Sequence, residues 1–295
     1  MIESLVIAIC TRARPDTLTR LLSSLKSQDW PAEVSVLVVD NDVAQSARSV
    51  VEDFAPSFPV ALDYLTQERS GYSSVRNTAL DHVAVSTAVC FIDDDAVVPP
   101  AWVQEMRAQQ LEHPSTVIRS RYLHVPSVPV EDIALQPLVD AVNITELSPA
   151  GTSGLLLPAK AFAEVRFDPY FDLAGTEDMD LLARMSVLGF VELIADTVVI
   201  EEDRVRPLAW SQQRELAKWN GRLATIAMAH RGSPTLAFRA RALLSSAWAL
   251  CKSMVRLILG RKQAGHSYLN FAVSRWGMAT APFKPPAELP ARPVL

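Results

Sequence analysis

Over its first hundred residues the chain alternates short apolar runs with amphipathic stretches. Leu5 to Cys10 is continuously apolar and breaks at Thr11-Arg12-Ala13-Arg14-Pro15. Beyond the break, Leu18, Leu21, Leu22 and Leu25 recur at helical spacing, with Asp16 placed to cap them, so a strand followed by a helix is predicted. Val34 to Val39 reads as a second strand ending in Asp40-Asn41-Asp42. A helix from about Gln45 to Phe54, a strand near Val60 to Leu65 and a helix opened by Gly71 follow. Ala88 to Ile92 is a fourth strand, and it runs straight into Asp93-Asp94-Asp95. Strands this apolar, separated by helices, belong to a parallel sheet covered on both faces. In such sheets the ligand lies outside the carboxyl ends of the strands. Thr11-Arg12, Asp40 and Asp93 to Asp95 all fall there.

After Pro100 the pattern loosens. A helix is expected from Ala101 to about Glu112 and an extended segment from Thr116 to Val125, followed by a region broken by Pro126, Pro129, Pro137 and Pro149. Thr152-Ser153-Gly154 precedes a short apolar run, Leu155 to Leu157. An aromatic-rich approach, Phe167 to Phe171, then leads to Thr176, placed to cap a helix whose stripe is Leu181, Met185 and Leu188 and whose end is Gly189. Glu177 and Asp178 occupy its first turn. The helix dipole favours acids there whatever their role, but the glycine before them and the aromatics would line a pocket, which makes the pair candidates for chemistry.

Composition narrows the class. With 49% hydrophobic residues over 295 positions, the chain can bury a full core as one large α/β domain, with or without a helical appendage. Three scattered cysteines exclude a disulfide framework or a zinc site and suit a reducing cytosol. The N-terminus runs directly into a strand, so no signal peptide is expected. Charge is uneven: residues 1–203 hold thirteen basic and thirty-one acidic side chains, whereas Arg204 to Lys262 hold twelve basic and one acidic. A basic tail on an acidic body points to an anionic surface, lipid headgroups rather than nucleic acid, or else to arginines that merely solvate an outer face. Leu236 to Leu259 is apolar but interrupted by Arg239, Arg241, Lys252 and Arg256. Its clean stretch, Ala242 to Cys251, falls short of the ~20 residues a spanning helix needs. It reads as an amphipathic helix with Leu244, Trp248 and Val255 turned to a membrane, or packed on the main domain or a second subunit. The organisation expected is a main domain over 1–230, with a donor half to residue 100 and an acceptor half after it. A basic helical appendage over 231–280 and a Pro-rich tail over 281–295 complete it.

The acidic triplet carries the chemistry. Three adjacent carboxylates repel one another unless something cationic neutralises them, and their hard oxygens suit Mg²⁺ or Mn²⁺. The alternative is a solvated turn capping the following helix. Neither G-x-G-x-x-G after the first strand nor a P-loop occurs, which argues against dinucleotide oxidoreductases and P-loop NTPases. Arg12 and Arg14 instead offer side chains for a phosphate or a base.

Together, Cys10-Thr11-Arg12-Ala13-Arg14-Pro15, the strand end Val38-Val39-Asp40-Asn41, the helix start Gly71-Tyr72-Ser73-Ser74-Val75-Arg76-Asn77 and the strand–triplet junction resemble family 2 glycosyltransferases of the GT-A fold. The stretch Phe167 to Gly189 is similar to that family's acceptor-side motif, and the likeness covers about residues 4 to 225. It implies a mostly parallel sheet flanked by helices and an inverting transfer from a UDP- or GDP-type sugar to a saccharide or lipid-linked hydroxyl. By the same resemblance Thr11, Arg12, Arg14, Asp40 and Arg76 would hold the donor together with Asp93 and Asp94. Asp93 and Asp95 would hold the metal, Asp95 most directly, and Asp178 with Glu177 would be the base. Glu201 would offer a further metal or donor contact, with Arg206 and Trp210 opening the next helix. Two rivals stay open, a sugar-phosphate nucleotidyltransferase and a non-catalytic sugar-nucleotide binder or membrane adapter. Phosphatases with a nucleophilic aspartate at the first strand end are disfavoured, because this chain has Cys10-Thr11 there.

Overall fold

The computed structural model describes residues 4–31, 33–125, 135–173, 176–202, 236–258 and 272–277. Contacts divide the chain into two compact units, one of Met1–Pro169 with Leu188–Arg204 and one of Tyr170–Val187 with Val205–Leu295.

The first unit is built on an eight-stranded sheet. Its strands are β1 (Ser4–Thr11), β2 (Val34–Asp40), β3 (Leu62–Thr66), β4 (Thr87–Asp93), β5 (Ala96–Val97), β6 (Val117–Val125), β7 (Leu155–Leu157) and β8 (Glu192–Glu202). They lie in the order β3-β2-β1-β4-β7-β6-β8-β5. β1 to β4 are mutually parallel where they pair, and β6 and β8 run parallel to each other. Only β7 and β5 are antiparallel to their neighbours. The mostly parallel α/β sheet read from the sequence is present. The two short reversed strands lack an apolar run long enough to announce their direction.

Alternation along each strand sorts the core into two layers. Leu5, Ile7 and Ile9 of β1, Val36 and Val38 of β2 and Cys90 and Ile92 of β4 belong to one cluster, with Leu18, Leu21, Leu22 and Leu25 of α1 (Pro15–Lys26). Trp102, Val103 and Met106 of α4 (Trp102–Glu112) join the same layer. Each of the four α1 leucines is fully buried, which stabilises by about 2 kcal/mol apiece relative to exposure. α1 begins at Pro15, whose ring presets the first helical turn; the expected cap, Asp16, lies inside that turn and supports the dipole instead. The opposite face meets α3 (Tyr72–His82) and α6 (Ala159–Glu164), and Phe91 packs edge-on against Phe167 at 5.5 Å. The shorter α2 (Arg48–Phe54) and α5 (Leu135–Asp140) complete the helices of this unit.

In the second unit, α7 (Glu177–Val187) and α8 (Leu236–Ile258) are described, and residues 272–277 are helical. No described helix is long and apolar enough to cross a membrane. Arg206, Trp210 and the Pro-rich tail lie outside the described residues.

Candidate active site

Parallel pairing makes the ends of β1, β2, β3 and β4 neighbours. The register sets Thr11 opposite Asp40, Asp40 opposite Thr66 and Cys10 opposite Asp93. The loops leaving these strands therefore meet on one edge, and two charge networks form there.

The first network joins the β1 loop to the triplet. Thr11 Oγ1 donates to Asp94 Oδ2 at 2.7 Å, and one Nη of Arg14 donates to Asp94 Oδ1 and Asp95 Oδ2, both at 3.0 Å. Asp94 is buried, and burial holds its carboxyl above the ordinary range although Thr11 and Arg14 pull the other way. The Asp95 side chain keeps 28% exposure and that of Arg14 47%, so this pair faces solvent. The second network crosses to α3. Arg76, almost wholly buried, donates to Asp93 Oδ1 at 3.2 Å, to Thr152 Oγ1 at 2.8 Å and to the Tyr72 carbonyl at 3.2 Å. Its guanidinium carbon lies 5.8 and 5.9 Å from the Phe167 and Tyr72 ring centroids. Arg76 is thus locked, whereas Arg14 bridges two carboxylates from a nearly half-exposed position.

The remaining donor-side residues separate by role. Arg12 donates to Ser70 Oγ at 2.6 Å and is exposed, so it presents a guanidinium at the rim. Asp40 is completely buried. Its Oδ1 accepts from the Asp42 amide, and its Oδ2 accepts from the Ala47 amide and the Tyr64 hydroxyl. The sequence placed this carboxylate against the donor; the structure gives it an internal task, folding the loop after β2. Asn41 plays the companion part. Its amide nitrogen donates to the Gln67 and Arg69 carbonyls at 2.8 Å, and its oxygen accepts from the Gly71 amide at 3.0 Å.

Sequence reasoning did not single out Asn41, Thr152 or Ser153 as site residues. Ser153 Oγ accepts from the Asp93 amide at 3.3 Å, and the Gly154 amide donates to the Phe91 carbonyl at 2.7 Å. The reversed strand β7 brings them beside β4, and only the Thr-Ser-Gly turn signal was visible beforehand. Glu201 lies on β8 opposite Ala96, the residue after the triplet. Glu177 and Asp178 open α7 in the second unit, Glu177 buried and Asp178 half-buried; in the same helix Asp180 pairs at 2.6 Å with Arg184, four residues after it.

A divalent cation fits the residues present. Among the described residues no group of three His, Cys, Asp or Glu side chains could cage one. Mg²⁺ and Mn²⁺ at phosphate sites need no cage, since one or two carboxylates plus the ligand's phosphates suffice. Asp93 and Asp95 would supply those carboxylates.

Residues 4–136 match the family model described as Glycosyl transferase family 2. The match lies within the first unit and covers a little under half of the chain. The chain is also 35% identical over 102 residues to the succinoglycan biosynthesis protein ExoM of Rhizobium meliloti (strain 1021), a match covering 34% of this chain. The match spans about a third of that relative's length, 32%. Among solved structures, S. aureus TarS in complex with UDP-GlcNAc superposes with a TM-score of 0.55 at 17% identity, covering 93% of this chain and 90% of that one. Mannosyltransferase PcManGT of Pyrobaculum calidifontis, in complex with GDP-Man and Mn²⁺, gives 0.60 at 16% identity, covering 95% and 87%. At such identities the shared feature is the fold, a GT-A arrangement.

Proposed function

We propose that this chain transfers a sugar, with inversion, from a nucleotide-diphosphate donor to a hydroxyl acceptor. The observation that carries the reading is the acidic triplet flanked by two guanidiniums at the carboxyl edge of a parallel sheet: anion-binding and cation-binding side chains interleaved where a phosphorylated ligand lies. The relatives support it, since TarS holds UDP-GlcNAc and PcManGT holds GDP-Man with Mn²⁺.

Arg76, rigid between two rings, orients the diphosphate side of the donor, and Arg12 reaches it from the rim. Asp93 and Asp95 hold Mg²⁺ or Mn²⁺, which when bound neutralises charge on the leaving diphosphate. Asp178, with Glu177 beside it, takes the acceptor proton; inversion needs only that one base. The acceptor class proposed is a lipid-linked or cell-surface saccharide, in keeping with the succinoglycan relative. The proposed location is cytoplasmic, at the inner face of the membrane. α8 supports a surface contact there: Leu244, Trp248, Met254 and Val255 are all more than half exposed, and its sequence holds no acidic residue. Lys252 Nζ lies 4.1 Å from the Trp248 ring centroid.

The test is turnover of UDP- and GDP-sugars with Mn²⁺ and a saccharide acceptor panel, read as released nucleoside diphosphate. Asp178→Asn is expected to slow release by about 10²–10⁴-fold with donor binding retained, and Asp95→Asn to weaken Mn²⁺-dependent donor binding. Pyrophosphate release would replace this reading with a nucleotidyltransferase. An Asp178→Asn rate equal to wild type would remove the assigned base.

A further inference from the structure

We propose that Arg14 is a built-in counter-ion of the acidic triplet, which leaves Asp95 for the donor's diphosphate and so makes cation binding conditional on the nucleotide. The proposal rests on the reading of this edge as a nucleotide-diphosphate-sugar site.

The two arginines beside the triplet are differently held. Arg76 is walled in, with 6% of its side chain exposed and partners on α3, β4 and the Thr152 turn. Arg14 lies on the short loop between β1 and α1, nearly half exposed, with one nitrogen midway between two carboxylates. That nitrogen occupies the position of a cation shared by Asp94 and Asp95. Its departure would not strip Asp94, because Thr11 Oγ1 still donates to the other oxygen at 2.7 Å. It would take one cationic partner from Asp95, the more exposed of the two carboxylates.

Charge then sets the order of events. A divalent cation arriving alone would have to compete with a guanidinium already in contact with Asp95, and would sit beside that positive charge. A nucleoside diphosphate removes both difficulties, since its oxygens accept a planar guanidinium with two parallel hydrogen bonds. Cation and diphosphate therefore promote each other's binding, and the promotion is reciprocal. Arg14 is a donor-binding residue in this scheme, distinct from the base.

The experiment is a Mn²⁺ titration followed by electron paramagnetic resonance, with Mn²⁺ alone and then with UDP or GDP, on wild type and Arg14→Gln. Wild type is expected to bind Mn²⁺ weakly alone and strongly with the matching nucleotide. Arg14→Gln is expected to bind Mn²⁺ alone about tenfold tighter or more, the scale on which a contacting guanidinium alters a carboxylate's affinity for a proton. Its gain on adding nucleotide should shrink. Equal Mn²⁺ affinity in the two proteins without nucleotide overturns the proposal. If neither UDP nor GDP raises wild-type binding, the donor reading and the exchange fail together, while the Mn²⁺-alone comparison still decides the counter-ion role. Should Arg14→Gln fail to fold, the Arg14 Nε–H resonance of wild type serves instead. It should move with Mg²⁺ and nucleotide together and stay in place with Mg²⁺ alone; movement with Mg²⁺ alone overturns the idea.

Discussion

At the residue scale, two positions outside the charged edge test how the site is supported. Gly154 has φ +78°, and a β-carbon there would come 2.5 Å from Ser120 Cβ, inside a buried layer. Gly154→Ala combines left-handed strain with overpacking, so chemical denaturation should show a loss of about 2–4 kcal/mol. Because the adjacent Ser153 anchors the Asp93 amide, donor affinity should fall as well, whereas Gly189→Ala meets no steric contact within 4 Å and should leave donor affinity alone. Tyr64 is the second position. Burial, then its bond to Asp40 and the charge of Asp40, pushes its phenol up to about 12 from an ordinary 10.0. The fold thus favours the protonated phenol: this contribution is complete below pH 10 and is lost as pH climbs towards 12. Tyr64→Phe removes a donor to a buried carboxylate and should cost about 1.5–3 kcal/mol at pH 7. The gap between the two proteins should narrow above pH 10, and ultraviolet titration of the variant should lack a tyrosine that ionises near pH 12.

At the element scale, what organises the edge is a set of loops tied to each other, and this is also where the sequence was least readable. The long apolar strands β1, β2 and β4 and the leucine stripe of α1 were plain from periodicity, because each carries its burial pattern within a few residues. The strand-end positions of Thr11, Asp40 and Asp93 followed from them. β5 and β7, two and three residues long, carry no period at all, and their direction comes from pairing with strands distant in sequence. For the same reason Thr152 and Ser153 could not be assigned beforehand. Asp40 and Asn41 were legible as polar residues at a strand end, but that both turn inward is a matter of tertiary hydrogen bonding that no local pattern encodes. Asn41→Ala tests this level. Losing three hydrogen bonds that close the loop between β3 and α3 should destabilise by about 2–3 kcal/mol. Hydrogen exchange should rise first around Gly71 and the start of α3, ahead of the strands.

At the scale of the whole molecule, the acidic first two hundred residues and the basic stretch after them ask for an anionic partner. The exposed apolar face of α8 gives that partner a shape. Helical register, at about 100° per residue, gathers positions 244, 248 and 255 within an arc of about 40° and sets Lys252 at its margin. An interfacial helix places apolar side chains inward and cations at headgroup level in the same way. Full-length protein should co-sediment with vesicles containing phosphatidylglycerol and far less with phosphatidylcholine alone. Added salt should weaken binding, and Trp248→Glu should abolish it without changing turnover of a water-soluble acceptor. Concentration-dependent dimerisation that buries Trp248, with no vesicle binding, would assign the face to a second copy instead. The thiols of this chain offer a direct reading of the same event. Cys90 is sealed in the sheet, where burial drives its ionisation far above the normal range, while Cys251 stands open on α8 one turn from Trp248 and Val255. On a Cys10→Ser background, which removes the partly exposed third thiol, a polarity-sensitive maleimide dye would therefore label Cys251 and leave Cys90 untouched. Its emission colour would report whether that helix face is bathed in water or in hydrocarbon.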